Sequence, residues 1–176
     1  MKPLVLSYEL SWRTREDEAF SRSQAWKDIR TRVLRREDFT CSYCGLKSEK
    51  GMQVNHIDGN PKNHVDENLE VICPSCHMIL HSGLWAKVRG ILLLFKKSGF
   101  SQNDIVRITR EMRLAGKADD DIIQHLGLRE RVPWKQDLDY LSHLYGFISS
   151  KQYLPTPKPL LSEWEQKDRI VNKESW

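Results

Sequence analysis

Cys41-Ser42-Tyr43-Cys44 and Cys73-Pro74-Ser75-Cys76 contain all 4 cysteines of the 176-residue chain, and 28 residues lie between the two pairs. Two residues between thiolates let both sulfurs of a pair reach one ion, and two such pairs complete a tetrahedral zinc site. Two disulfides or free thiols are the competing uses of these residues. The N-terminus, Met1-Lys2-Pro3-Leu4-Val5-Leu6-Ser7, offers one cation and a short apolar patch, which does not read as an export signal. A reducing compartment is therefore expected, and it disfavours disulfides. Four thiolates fill the zinc coordination shell, so this zinc is expected to be structural, with any chemistry in the loop it closes.

That loop has an order of its own. Met52-Gln53-Val54-Asn55-His56-Ile57 partly alternates apolar with polar and ends at the turn formers Asp58-Gly59-Asn60-Pro61, which predicts a short strand with His56 near its end. Glu67-Asn68-Leu69-Glu70-Val71-Ile72 predicts a second strand entering Cys73. Pro74 then suits the first turn of a helix running to about residue 81. On that helix His77 and His81 are four apart, so their imidazoles share one face and can grip one ion.

At these residues the chain resembles the HNH nucleases, whose ββα-metal fold often carries a zinc-bound cysteine pair at each end. The resemblance covers residues 26–83. It rests on Val54-Asn55-His56-Ile57-Asp58-Gly59-Asn60, Glu67-Asn68-Leu69-Glu70 and Cys73-Pro74-Ser75-Cys76-His77, with Trp26-Lys27-Asp28-Ile29-Arg30 and Val33-Leu34-Arg35-Arg36 resembling the helix before the first knuckle. It implies a small α+β protein, a zinc-stabilised ββα-metal core surrounded by mostly helical N- and C-terminal segments. It further implies a metal-dependent endonuclease hydrolysing DNA phosphodiester bonds, with His56 as general base, Asn68 orienting its ring and His77 binding the catalytic metal. The His77/His81 pair resembles the colicin-type branch, where two helical histidines hold a transition metal. Chemistry agrees with these roles: histidine titrates near neutral pH, an amide oxygen can fix its tautomer, and a divalent cation stabilises the departing oxygen.

Asn55 stands where many relatives have Asp or His. An Asn55, His77 and His81 shell is uncharged and partly imidazole, which favours Mn²⁺, Co²⁺, Ni²⁺ or Zn²⁺ over Mg²⁺. The rival reading is a catalytically decayed zinc protein that binds nucleic acid or acts as an adaptor, with Asn55 as the loss. His64 reads as a solvated loop residue, and His125 and His143 as structural.

Four regions are expected: an N-terminal extension at 1–22, the nuclease core with its preceding helix at 23–83, a helical basic region at 84–150, and a Pro-containing linker and tail at 151–176. Within the third, helices are expected at 84–90, 91–97, 101–114, 119–126 and 137–147, a pattern compatible with a helix-turn-helix-like module or with any small bundle. The whole chain is +4, while residues 84–117 alone carry +6, which suits a polyanion. Arg30, Arg35, Arg36, Lys87, Arg89, Lys96 and Lys97 are the candidate DNA contacts, with simple solvated helix faces as the alternative. Trp164 and Trp176 in the tail suggest docking, either back onto the domain or onto another protein, a homodimer mate or a partner. The longest apolar run, residues 91–95, is far short of the ~20 residues of a membrane-spanning helix. A cytoplasmic protein is expected, bacterial or phage-encoded in a bacterial host, and of a phage or defence kind.

Overall fold

A computed structural model describes residues 1–8 and 14–151. The Pro-containing linker and the tail with its tryptophans lie outside the described residues. Elements run α1 (Arg15–Ser21), α2 (Gln24–Arg36), β1 (Gln53–His56), a short 3₁₀ turn (Asp66–Asn68), β2 (Leu69–Ile72), α3 (Pro74–Leu80), a π-helical turn (Gly83–Val88), β3 (Leu92–Lys97), α4 (Gln102–Leu114), α5 (Asp119–His125), β4 (Arg129–Val132), α6 (Leu138–Ser142) and β5 (Tyr145–Ile148). The class is mixed α+β, as expected, and no described helix is long and apolar enough to cross a membrane.

The core between the cysteine pairs forms in the predicted order of strand, loop, strand and helix, except that Glu67 and Asn68 lie in the 3₁₀ turn and the second strand begins at Leu69. β1 and β2 pair antiparallel with Asn55 opposite Glu70 and His56 opposite Leu69. Cys73 caps α3 and Pro74 opens it, where its missing N–H costs nothing. α2 begins at the Ser23 cap, whose hydroxyl accepts from the Trp26 N–H, and buries Val33 and Leu34. A two-stranded hairpin is marginal alone; here Leu69, Val71 and Ile72 are buried in one cluster with Val33, Leu34, Val54 and Ile79.

Beyond residue 90 the helical expectation needs correction. Residues 92–97 form the central strand of a β4-β3-β5 antiparallel sheet. Leu92 and Leu94 join the cluster around the β1–β2 hairpin, whereas Phe95, with Leu93 packed against it, joins Ile105, Ile122, Leu126 and Phe147. A strand buried on both faces shows no alternation, so its apolar run is indistinguishable from a buried helix. The helix expected over 137–147 stops at Ser142 and is followed by β5. The edge strand β4 is largely exposed and charged, so its sequence carries no strand pattern, and Glu130 pairs with Lys96 and Lys97 across to β3. α4 and α5 pack on this sheet rather than forming a three-helix module. Helix α1, closed by a Thr14/Asp17 capping box, was not anticipated.

The N-terminal segment binds the two halves together. Lys2 N–H donates to the Ser42 carbonyl and Ser7 N–H to that of Ile79, Leu4 N–H donates to Asn103 Oδ1 at 2.9 Å, and Leu4 and Leu6 are buried. At the seam, a Cβ on Gly146 would stand 2.9 Å from Ile79 Cδ1, 3.0 Å from Leu92 Cδ1 and 3.1 Å from Leu6 Cδ2. Gly146→Val is therefore expected to destabilise the fold by about 1–3 kcal/mol through overpacking, read as a lower urea midpoint; an unchanged midpoint would contradict this packing.

Candidate active site

All four cysteines are buried, and their sulfurs lie within 4.8 Å of one another. The Cys44 and Cys73 sulfurs are 3.6 Å apart, close to the edge of about 3.8 Å that four Zn–S bonds of ordinary length produce in a tetrahedron. The cluster is thus positioned to form a zinc site, and it is the one such group of three or more His, Cys, Asp or Glu among the described residues. The chain supports it locally. Gly45, at φ +69°, lets its N–H return to the Cys41 carbonyl at 3.1 Å, while the Cys76 N–H donates to Cys73 Sγ at 3.4 Å. Arg110 on α4 donates to Cys44 Sγ at 3.5 Å. Hydrogen bonds from the other three cysteines, joined by Arg110, pull the Cys44 thiol down, whereas the Cys76 thiol is pushed up by its bonds to Cys41, Cys44 and Cys73. Sulfurs this close cannot all ionise unless a cation offsets their repulsion.

On the helix side of β1, His77 Nδ1 meets Gln53 Oε1 at 2.7 Å. A carbonyl oxygen only accepts, so His77 donates from Nδ1 and its basic lone pair lies at Nε2. That atom is 2.7 Å from His81 Nε2. Two imidazole nitrogens so close can share one proton, or one divalent ion in its place; nitrogens bound to a common ion at ordinary bond lengths lie about 3 Å apart. The pair thus fits a metal that accepts imidazole, with Gln53 setting the ring of one ligand. Gln53 was not singled out by its sequence context.

Asn55 is 7% exposed and Glu70 1%. The Asn55 amide nitrogen donates to Glu70 Oε1 at 3.0 Å, which leaves the amide oxygen as the acceptor Asn55 can offer. Glu70 also receives the Tyr43 hydroxyl at 2.7 Å and forms an ion pair with Lys2 at 2.7 Å. Burial, reinforced by Glu70, raises the Tyr43 pKa, so the phenol stays a donor. A groove of about 300 Å³ is lined by Tyr43, Asn55, His56, Asp58 and His81 among others. It unites three of the expected site residues, Asn55, His56 and His81.

The His56 ring stacks on Trp26 of α2, with centroids 5.5 Å apart and planes at 14°, and its Nε2 lies 3.1 Å from His64 Nδ1. His64 is therefore not the solvated loop residue expected. Asn68 is buried and its amide serves the loop: Oδ1 accepts from the Asp58 N–H at 3.0 Å, and Nδ2 donates to Asp58 Oδ1 and the Asn63 carbonyl, both at 2.9 Å. Its own carbonyl accepts from the Ile57 N–H at 2.8 Å, next to the base candidate. Bonds from Asn63, the Asn60 N–H and Asn68 keep the Asp58 carboxyl below its usual pKa.

The candidate DNA-contacting cations divide by use. Arg30 donates to the Met52 carbonyl at 2.5 Å, and Arg36 to those of Asp66 at 2.7 Å and Leu69 at 2.5 Å, so both fasten α2 to the hairpin. Lys96 and Lys97 face Glu130, Lys87 lies over the Trp134 ring, Arg89 sits at the end of the π-helical turn, and Arg35 is exposed on α2.

The cysteine cluster makes a direct prediction. Purified protein should contain one zinc per chain, and Cys76→Ser should lose it together with several kcal/mol of stability, measured by metal analysis and thermal unfolding. A zinc-free protein of undiminished stability would contradict the clasp.

No curated protein matches the chain. Residues 41–83 match the family model described as HNH endonuclease, a stretch that opens at the first cysteine and takes in both β1 and β2, α3 and the groove residues Tyr43, Asn55, His56, Asp58 and His81, so the expected family resemblance holds for this segment.

Proposed function

We propose that the protein is a metal-dependent endonuclease that hydrolyses phosphodiester bonds in DNA. The observation carrying this reading is the groove that His56, Asn55 and His81 all line, with His81 Nε2 paired to His77 Nε2. His56 takes the proton from the attacking water, a task suited to an imidazole near neutral pH. Trp26 and His64 hold its ring in place. Asn55, His77 and His81 would hold a divalent ion, which supplies charge stabilisation to the scissile phosphate and the leaving 3′ oxygen. The donor set favours Mn²⁺, Ni²⁺ or Zn²⁺ over Mg²⁺. The zinc at the cysteines carries no part of the reaction. The HNH endonuclease match at 41–83 and the +6 charge of residues 84–117 support a nucleic-acid substrate, and this reading takes DNA as that substrate.

Supercoiled plasmid incubated with Mg²⁺, Mn²⁺, Ni²⁺ or Zn²⁺ should be nicked or linearised, fastest with a transition metal, to leave 5′-phosphate and 3′-hydroxyl ends. His56→Ala should lower the rate by about 10²–10⁴-fold while retaining the cysteine-bound zinc. DNA binding with no cleavage under any metal would instead favour the non-enzymatic zinc protein. Gln53→Ala should raise the metal concentration needed for half-maximal rate by about 10–100-fold, since it removes the acceptor at His77 Nδ1; an unchanged metal requirement would remove Gln53 from the site.

A further inference from the structure

The His56–His64 contact is built rather than incidental. His64 stacks on Phe20 of α1 with centroids 4.5 Å apart and planes at 13°, and leans on Trp26 at 5.6 Å and 50°. His56 lies flat on the other aromatic partner, Trp26. Phe20, Trp26, His56, Pro61, His64 and Asp17 surround one small pocket, so the two imidazoles meet edge to edge inside an aromatic box. Asn68 secures the loop from below by donating to the carbonyl of Asn63, the residue before His64.

A nitrogen–nitrogen contact of 3.1 Å needs one N–H and one lone pair. Two arrangements satisfy it, and they differ in consequence. If His64 donates, the basic nitrogen of His56 is spent on His64. If His56 donates from Nε2, its proton-accepting nitrogen is Nδ1. Burial holds the His64 imidazole below its usual pKa, with the Asp17 carboxylate pulling the other way; a neutral His64 keeps the lone pair that an imidazolium lacks.

We propose that His64 is a positioning residue for the nuclease reaction, accepting the Nε2 proton of His56 at its own Nδ1 and so fixing the tautomer in which His56 Nδ1 receives the proton of the attacking water. This rests on the nuclease reading above and assigns to an imidazole the work that a carboxylate or carbonyl does in other histidine-dependent sites. Asn68 acts one step further out, through the loop that carries His64. Phe20 and Trp26 fix the ring planes so that the bond stays aligned, and they give α1 its place in the site.

The test compares the full-length protein with His64→Phe, which keeps the stacking surface and removes the acceptor, and His64→Gln, which restores an acceptor oxygen. Thermal unfolding establishes that each variant is folded. His64→Phe should lower kcat for plasmid nicking by about 10-fold or more with KM little changed, and His64→Gln should recover most of the loss. Nitrogen-15 chemical shifts of the His56 ring should show the proton on Nε2 in the native protein and a mixed population in His64→Phe. Undiminished kcat in His64→Phe overturns the proposal while leaving the nuclease reading intact; a native His56 protonated at Nδ1 overturns the proposal and with it the base role of His56, while metal-dependent cleavage by the native protein would still establish a nuclease. Absence of cleavage by the native protein under every metal overturns the nuclease reading, and the ring-nitrogen shifts still decide which histidine donates.

Discussion

The convergence of four cysteine sulfurs to within 4.8 Å fixes both ends of the segment on which the site is built. Between them lie 28 residues with only two four-residue strands, too little apolar surface to fold alone. Joining the ends removes most of the loop's freedom. The flanking helices α2 and α3 and the N-terminal residues Leu4 and Leu6 then supply the buried surface the hairpin lacks. A divalent ion at the sulfurs converts mutual repulsion among thiolates into attraction, so metal binding and folding of the hairpin are linked.

Strand alternation divides the work of the site. Gln53 and Asn55 point to one face of β1, where Gln53 sets His77 and Glu70 sets Asn55. His56, one residue on, turns to the other face, where Trp26 and His64 receive it. His56 is also the last residue of the strand and is one of the residues lining the groove shared with Asn55 and His81. On the proposed reading, this one strand offers the metal ligand Asn55 and the base His56 to the groove that both residues line.

The parts legible in the sequence are those that local chemistry determines. Cysteine spacing gave the clasp, turn formers at 58–61 gave the end of β1, and Pro74 marked a helix start that the structure repeats. What stayed hidden depends on long-range contact. Of the run at 91–95, residues 92–95 lie in a strand whose Leu92 and Leu94 are buried in the cluster of Ile79 from α3 and whose Phe95 is buried in the cluster of Ile105 from α4 and Ile122 from α5, and nothing within the run states this. Gln53, Glu70 and His64 are ordinary in sequence; their roles come from partners 24, 15 and 8 residues away. The cations illustrate the same point. Arg30 and Arg36 read as surface charge, yet their guanidinium groups cap carbonyls of the hairpin.

Anomalous diffraction from crystals of the protein soaked in Mn²⁺, recorded at the zinc and manganese edges, tests the central claim most directly. The account predicts zinc at the four sulfurs and manganese bound by His77 and His81 on the groove, one water's reach from His56. Manganese elsewhere, or a His56 ring too distant to share a water with it, would contradict a hydrolytic site built on this clasp.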